Sequence, residues 1–131
     1  SSYTYNFLAL CWTINTVPKI KNMNKELTIQ SFRQEVIDNN KLSIVQFRKH
    51  WNGSCQIIAP IYEELARSYK GQADFFQVDI EEQKDLETEY GIVEVPTILF
   101  FKRGLVVDHS TGLIPKNSLI HKIENALNNF N

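Results

Sequence analysis

The chain has 131 residues, 43% of them hydrophobic and 22% charged, with a formal net charge of −1. Such a length and composition describe one ordinary globular domain, long enough to bury a core without cross-links. The balanced charge excludes a nucleic-acid or membrane-surface binder, which would need a basic run to neutralise phosphates. The two cysteines, Cys11 and Cys55, exclude a disulfide framework, and the absence of any CxxC or Cys/His cluster excludes a zinc site, so no metal or cofactor is expected.

Residues 1–22, SSYTYNFLALCWTINTVPKIKN, carry only Lys19 and Lys21 as charges, whereas charges beyond them are frequent and mixed. The single methionine, Met23, stands at that boundary. The compact domain is therefore expected over residues 23–131, preceded by an extension over 1–22. In the extension Tyr3, Tyr5 and Phe7 alternate as an added edge strand would. The apolar run NFLALCWTI, residues 6–14, is too short to span a membrane. It also lacks the basic flank and small-residue cleavage site of an export signal. A cytoplasmic location follows as the expectation, with export as the alternative if that run belongs to a signal segment. A monomer is the expected state.

Beyond Met23, helix and strand patterns alternate. TIQSFRQEVIDNN places Ile29, Phe32, Val36 and Ile37 at helical spacing, and Asn39 with Asn40 marks its stop. LSIVQF, residues 42–47, is a short β-branched run of the buried-strand type. Residues 55–69 put Ile57, Ile61, Leu65 and Tyr69 on one helical stripe, with Ile58, Tyr62 and Ala66 beside it. Pro60 inside this pattern predicts a kink, and Gly71 an end. DFFQVDI, residues 74–80, alternates as a strand, and QKDLETEYG follows as a short helix. PTILFF and LVVDHS are two strands joined by Lys102, Arg103 and Gly104, a hairpin signal. IPKNSLIHKIENALNNF closes the chain as an amphipathic helix that turns Leu119, Ile120, Ile123, Leu127 and Phe130 inward, with Pro115 suited to its first turn. The order β-α-β-α-β-α-β-β-α predicts a three-layer α/β fold: a mixed sheet of four to five strands with helices on both faces.

The densest cluster of unusual residues is RKHWNGSCQIIAP, residues 48–60. Its W-x-G-x-C pattern, at Trp51, Gly53 and Cys55, resembles the WCGPC site of the thioredoxin family. IAP at 58–60 matches the kinked helix behind that site. GIVEVPT at 91–97 is similar to the family's GI-x-x-(I/V)-P-T, whose proline is cis, and Gly112 falls where the family keeps a glycine facing the substrate groove. The resemblance runs from about Lys25 to the C-terminus. It implies a thioredoxin-like fold and a lineage of thiol–disulfide oxidoreductases concerned with cell redox homeostasis. It further implies a peptide groove formed by Trp51, Gly53, Ser54, Val95, Pro96, Thr97, Gly112 and Leu113, in which a bound peptide pairs with the backbone at Val95 as an added strand. Protein or peptide partners are expected there.

Departures from the family carry the functional message. Asn52 stands in place of the nucleophilic first cysteine, and a carboxamide cannot attack a disulfide as a thiolate does. The family's buried aspartate aligns with Gln46, and the lysine that accompanies it aligns with Gln77. A change at Asn52 alone would also describe an engineered trap for mixed disulfides; three coordinated changes to neutral amides describe a site that has left dithiol exchange. Removing both buried charges together makes physical sense, because one left unpaired would be costly.

Asn52 is among the best N-cap residue types, and Ser54 could cap as well. Cys55 has two readings. It is either a small apolar residue at a helix start, or the thiol of a one-cysteine transferase that forms mixed disulfides with glutathione or a protein. Burial raises and a helix N-terminus lowers a thiol pKa, and His50 either lowers that of Cys55 or is an exposed loop residue. His109 and His121 read as strand-end and helix-surface residues. Cys11 either reaches Cys55 in a disulfide or is incidental.

Overall fold

A strand with no solvated face needs cover on both sides, and LSIVQFR is one, with six of its seven residues buried. In a computed structural model, which describes residues 24–129, that cover is supplied by two helical layers. The strands are β1 (Lys25–Glu26), β2 (Leu42–Arg48), β3 (Ala73–Asp79), β4 (Thr97–Lys102) and β5 (Leu105–Thr111). The helices are α1 (Ile29–Phe32), which continues as a π-helical turn (Arg33–Ile37), then α2 (Gly53–Ser68), α3 (Lys84–Glu89) and α4 (Lys116–Asn129). One five-stranded sheet has the order β1-β3-β2-β4-β5. Pairing is parallel across β1, β3 and β2 and antiparallel across β2, β4 and β5. The three-layer mixed α/β fold expected from the element order is the fold observed.

Each sheet face carries its own core. Ile58 and Tyr62 of α2 and Ile123 of α4 pack with Ile44, Phe75 and Phe100 of the sheet, among others, in the first. Phe32 of α1 and Leu86 of α3 pack with Val45, Phe47, Val78 and Phe101 of the sheet in the second. The alternation of β3 thus serves two apolar faces, Phe75 toward the first core and Phe76 and Val78 toward the second. Thr28 caps α1 by accepting the Ser31 N–H, and the Ser31 side chain returns a contact to the Thr28 backbone.

Some sequence expectations shift. The inward row of α2 is Cys55, Ile58, Tyr62, Leu65 and Ala66, whereas Ile57 is 57% exposed and Ile61 only partly covered. Cys55 sets this phase: once it faces inward, residues three, seven, ten and eleven further on must follow at 3.6 residues per turn. The leading strand is Lys25–Glu26, a pair too short and too polar to announce itself by alternation. The suggested strand at Tyr3, Tyr5 and Phe7, the residues Cys11, Trp12 and Met23, and Phe130 lie outside the described residues. In the hairpin, Arg103 (φ 54) and Gly104 (φ 82) both take positive φ, the two-residue turn that suits the strand twist.

Candidate functional site

The sheet register gathers the candidate residues at one end. Phe47 near the end of β2 faces Thr97 at the start of β4, and Thr97 faces Thr111 at the end of β5. The segments that leave these strands, 49–52, 94–96 and 112–113, therefore emerge side by side. The Gly112 N–H donates to the Pro96 carbonyl at 2.7 Å, which ties the third segment to the second, and within the second the Thr97 hydroxyl donates to the Glu94 carbonyl at 2.5 Å. The Val95–Pro96 peptide is cis.

At the mouth of α2 the cap is Asn52 rather than Ser54. Asn52 has an extended backbone, and its Oδ1 accepts the Cys55 N–H at 3.0 Å. Gly53 is exposed and Ser54 half-buried, while Cys55 is 3% exposed and is a free thiol. Burial pushes the Cys55 pKa up. A hydrogen bond from the Lys49 backbone and the positive charges of Arg48 and Lys49 pull it down, but by less. The net direction is upward, so the thiol is protonated at neutral pH.

Behind Cys55 opens a cleft of about 200 Å³ that Gln46, Arg48, His50, Glu63 and Gln77 help to line. Gln46 and Gln77 are register partners across β2 and β3. Gln46 is buried, and its Nε2 has no hydrogen-bond partner among the described residues. Gln77 is engaged: its Oε1 accepts from Arg48 Nε at 2.8 Å. The guanidinium also lies 3.9 Å from Glu26 and 3.4 Å from the His50 ring. His50 Nε2 stands 3.6 Å from Oδ2 of the buried Asp79. His50 is thus exposed and turned to Arg48 and Asp79. Glu26, Asp79 and Glu82 bring carboxylate oxygens within 4.8 Å of one another, and Arg48 and His50 set positive or polarisable groups against two of them.

On the side of the cis-proline segment, the exposed residues include large apolar side chains and one carboxylate, Glu94. Trp51 is 89% exposed, Val93 96% and Leu113 48%. Of the apolar residues expected to line the groove, Trp51 and Leu113 are exposed as expected, whereas Pro96, like Thr97 beside it, is buried and Val95 is half-buried against the second core; Val93 is the exposed apolar residue on that segment. Gly112 has φ +79, and a Cβ added there would lie 2.9 Å from Glu94 Oε2. The Glu94 carboxylate therefore covers Gly112. His109 is exposed within β5, and His121 is exposed on α4.

With this geometry in place, comparison with known proteins is decisive. The Thioredoxin family model matches residues 23–125. The chain belongs to the thioredoxin family. Thioredoxin 2 of Chlorobaculum tepidum is 36% identical over 99 residues, 76% of this chain and 91% of that protein. Thioredoxin 1 of a Nostoc species is 34% identical over 102 residues, 78% of this chain and 95% of that one. Among solved structures, the thioredoxin of Malassezia sympodialis superposes with a TM-score of 0.73 at 27% identity, covering 79% of this chain and 90% of that one. Among the described residues of this thioredoxin-family chain, no helix is long and apolar enough to cross a membrane.

Three site residues escape a reading of the sequence. Arg48 follows Gln46 by two and so shares its strand face; that spacing is the available signal. Asp79 closes β3 and is buried, with its Oδ1 accepting the Glu81 N–H at 2.9 Å. Glu94 has no local signal, because only the turn at Gly112 gives its side chain a place.

Proposed function

We propose that this thioredoxin-family chain is a protein- or peptide-binding module with a degenerate, one-cysteine site that no longer carries out dithiol–disulfide exchange. One observation carries the reading: the side chain at position 52 is an amide engaged in capping the helix that holds Cys55. Exchange begins when a thiolate attacks a target disulfide and leaves a mixed disulfide for a second thiol to resolve. Asn52 cannot start that sequence. Cys55 is an inefficient substitute, since it is buried and its proton is held by the apolar surroundings. Gln46, an amide where the family has an acid, has no proton to give or take at neutral pH.

What remains is the recognition surface, with Trp51, Val93 and Leu113 exposed at one end of the sheet. Exposed apolar residues around a fixed backbone suit an extended partner segment. The alternative, a thiol transferase acting through Cys55 on glutathione or a protein, requires that thiol to be accessible and ionised. Insulin-disulfide reduction with dithiothreitol separates the two. The protein is expected to stay at the uncatalysed rate, and turnover comparable to a two-cysteine thioredoxin would end the proposal.

A further inference from the structure

We infer that the groove selects partner segments carrying a lysine or arginine next to an apolar residue, and that Glu94 is the selecting group. The inference rests on the peptide-binding reading above and adds the chemistry of the partner. Glu94 is exposed, and no described cation forms an ion pair with it. Its backbone is held in place, because its carbonyl accepts the Thr97 hydroxyl. Its carboxylate lies over Gly112, which has no side chain to displace it. The residues flanking this charge on the two segments, Val93 and Leu113, are exposed and apolar.

An unpaired anion on a tethered backbone, with exposed apolar residues next to it on both segments, is a selective arrangement. An entering acidic residue would meet like charge, and a neutral one would strip water from the carboxylate without replacing its hydrogen bonds. A lysine or arginine restores those bonds while its alkyl stem lies along Val93 or Leu113. Of the basic side chains at this end of the sheet, Arg48 and His50 are turned toward Gln77, Glu26 and Asp79 on β3 and β1, and Lys49, exposed beside them, forms no ion pair with Glu94. None of the three pairs with Glu94.

The test is fluorescence anisotropy of short labelled apolar peptides in three otherwise identical sets, with lysine, norleucine or glutamate scanned through each position. The full chain should bind the best lysine peptide roughly threefold to fivefold more tightly than its norleucine twin at low salt, with the glutamate peptide weakest. The spread should shrink as salt screens the pair. Glu94→Gln should level the three sets, and Glu94→Lys should reverse their order. Equal binding of lysine and norleucine peptides, or a preference that survives in Glu94→Gln, overturns the charge selection and leaves the groove reading standing. If no peptide binds, or Trp51→Ala changes nothing, the groove reading fails and this inference fails with it.

Discussion

Asn52 Oδ1 accepts the backbone N–H of Cys55 at 3.0 Å, so the residue proposed to replace the nucleophile also secures the helix that carries Cys55. The two roles are separable by substitution. Asn52→Ala should lower stability by about 1 kcal/mol, seen as a reduced denaturation midpoint with an unchanged slope. Asn52→Asp should keep the cap and gain from the positive end of the helix dipole. Asn52→Cys should lose the cap but gain some insulin reduction, and adding Gln46→Asp should raise that activity on the order of tenfold by restoring a proton acceptor. A double variant that reduces insulin no faster than the parent would show that these two side chains do not account for the proposed loss of exchange.

Most of the fold and part of the site are legible in the amino-acid sequence, and the reason is physical. Strands β2, β3, β4 and β5 announce themselves because their apolar runs are bounded by turns, and the Arg103 and Gly104 turn is written in residue types. The cap at Asn52 is legible because only a few side chains accept backbone N–H groups well. Three features are not. The phase of α2 depends on which side of Cys55 meets the sheet, a tertiary fact, so helical spacing gives Ile57 more weight than its exposure supports. β1 is two polar residues held by pairing with β3, which no local pattern encodes. The contact of Glu94 with Gly112 joins residues far apart in sequence, and nothing at either position alone foretells it.

Cys55 gives a pH prediction with a definite sign. Its folded pKa is raised above the ordinary value near 9.0, chiefly by burial. The folded state therefore holds this proton more tightly than the unfolded chain does. The stability associated with the neutral thiol is fully present below the ordinary thiol pKa and is lost as pH rises through the folded value. Denaturation midpoints should fall above about pH 9, and Cys55→Ala should flatten part of that fall. Reaction with a disulfide reagent in the folded state should be slow at neutral pH. A thiol that reacts at neutral pH as fast as a free cysteine would instead favour the transferase reading.

Tyr62 joins α2 to the sheet through one hydroxyl. Its Oη sits 2.8 Å from the Ile44 carbonyl and 2.6 Å from the Phe76 carbonyl, on neighbouring strands, with the whole side chain buried. One proton serves two acceptors, and burial pushes the hydroxyl pKa well above its ordinary value. Tyr62→Phe keeps the ring contact with Phe75 and removes only that donor. A loss of roughly 1–2 kcal/mol in chemical denaturation is expected. The same variant should weaken the alkaline fall in stability, because a buried tyrosine that must ionise adds to it. No change in midpoint would mean that the two carbonyls are satisfied without the hydroxyl.

Gly112 faces two separable penalties on substitution. Its φ of +79 is a left-handed conformation that costs a residue with a Cβ about 1 kcal/mol. The added methyl would also approach Glu94 Oε2 to 2.9 Å. Glu94 is the far end of a flexible side chain and can swing away, so the steric part should be smaller than the backbone part. Gly112→Ala should therefore destabilise by about 1–2 kcal/mol, and Glu94→Ala alone by no more than about 0.5 kcal/mol. The double variant should recover only the contact energy, leaving most of the loss in place. Full recovery in the double variant would mean that the carboxylate, and not the backbone, is what demands glycine. That would make Glu94 a rigid part of the groove floor, which a partner's cation would meet without any reordering of the side chain.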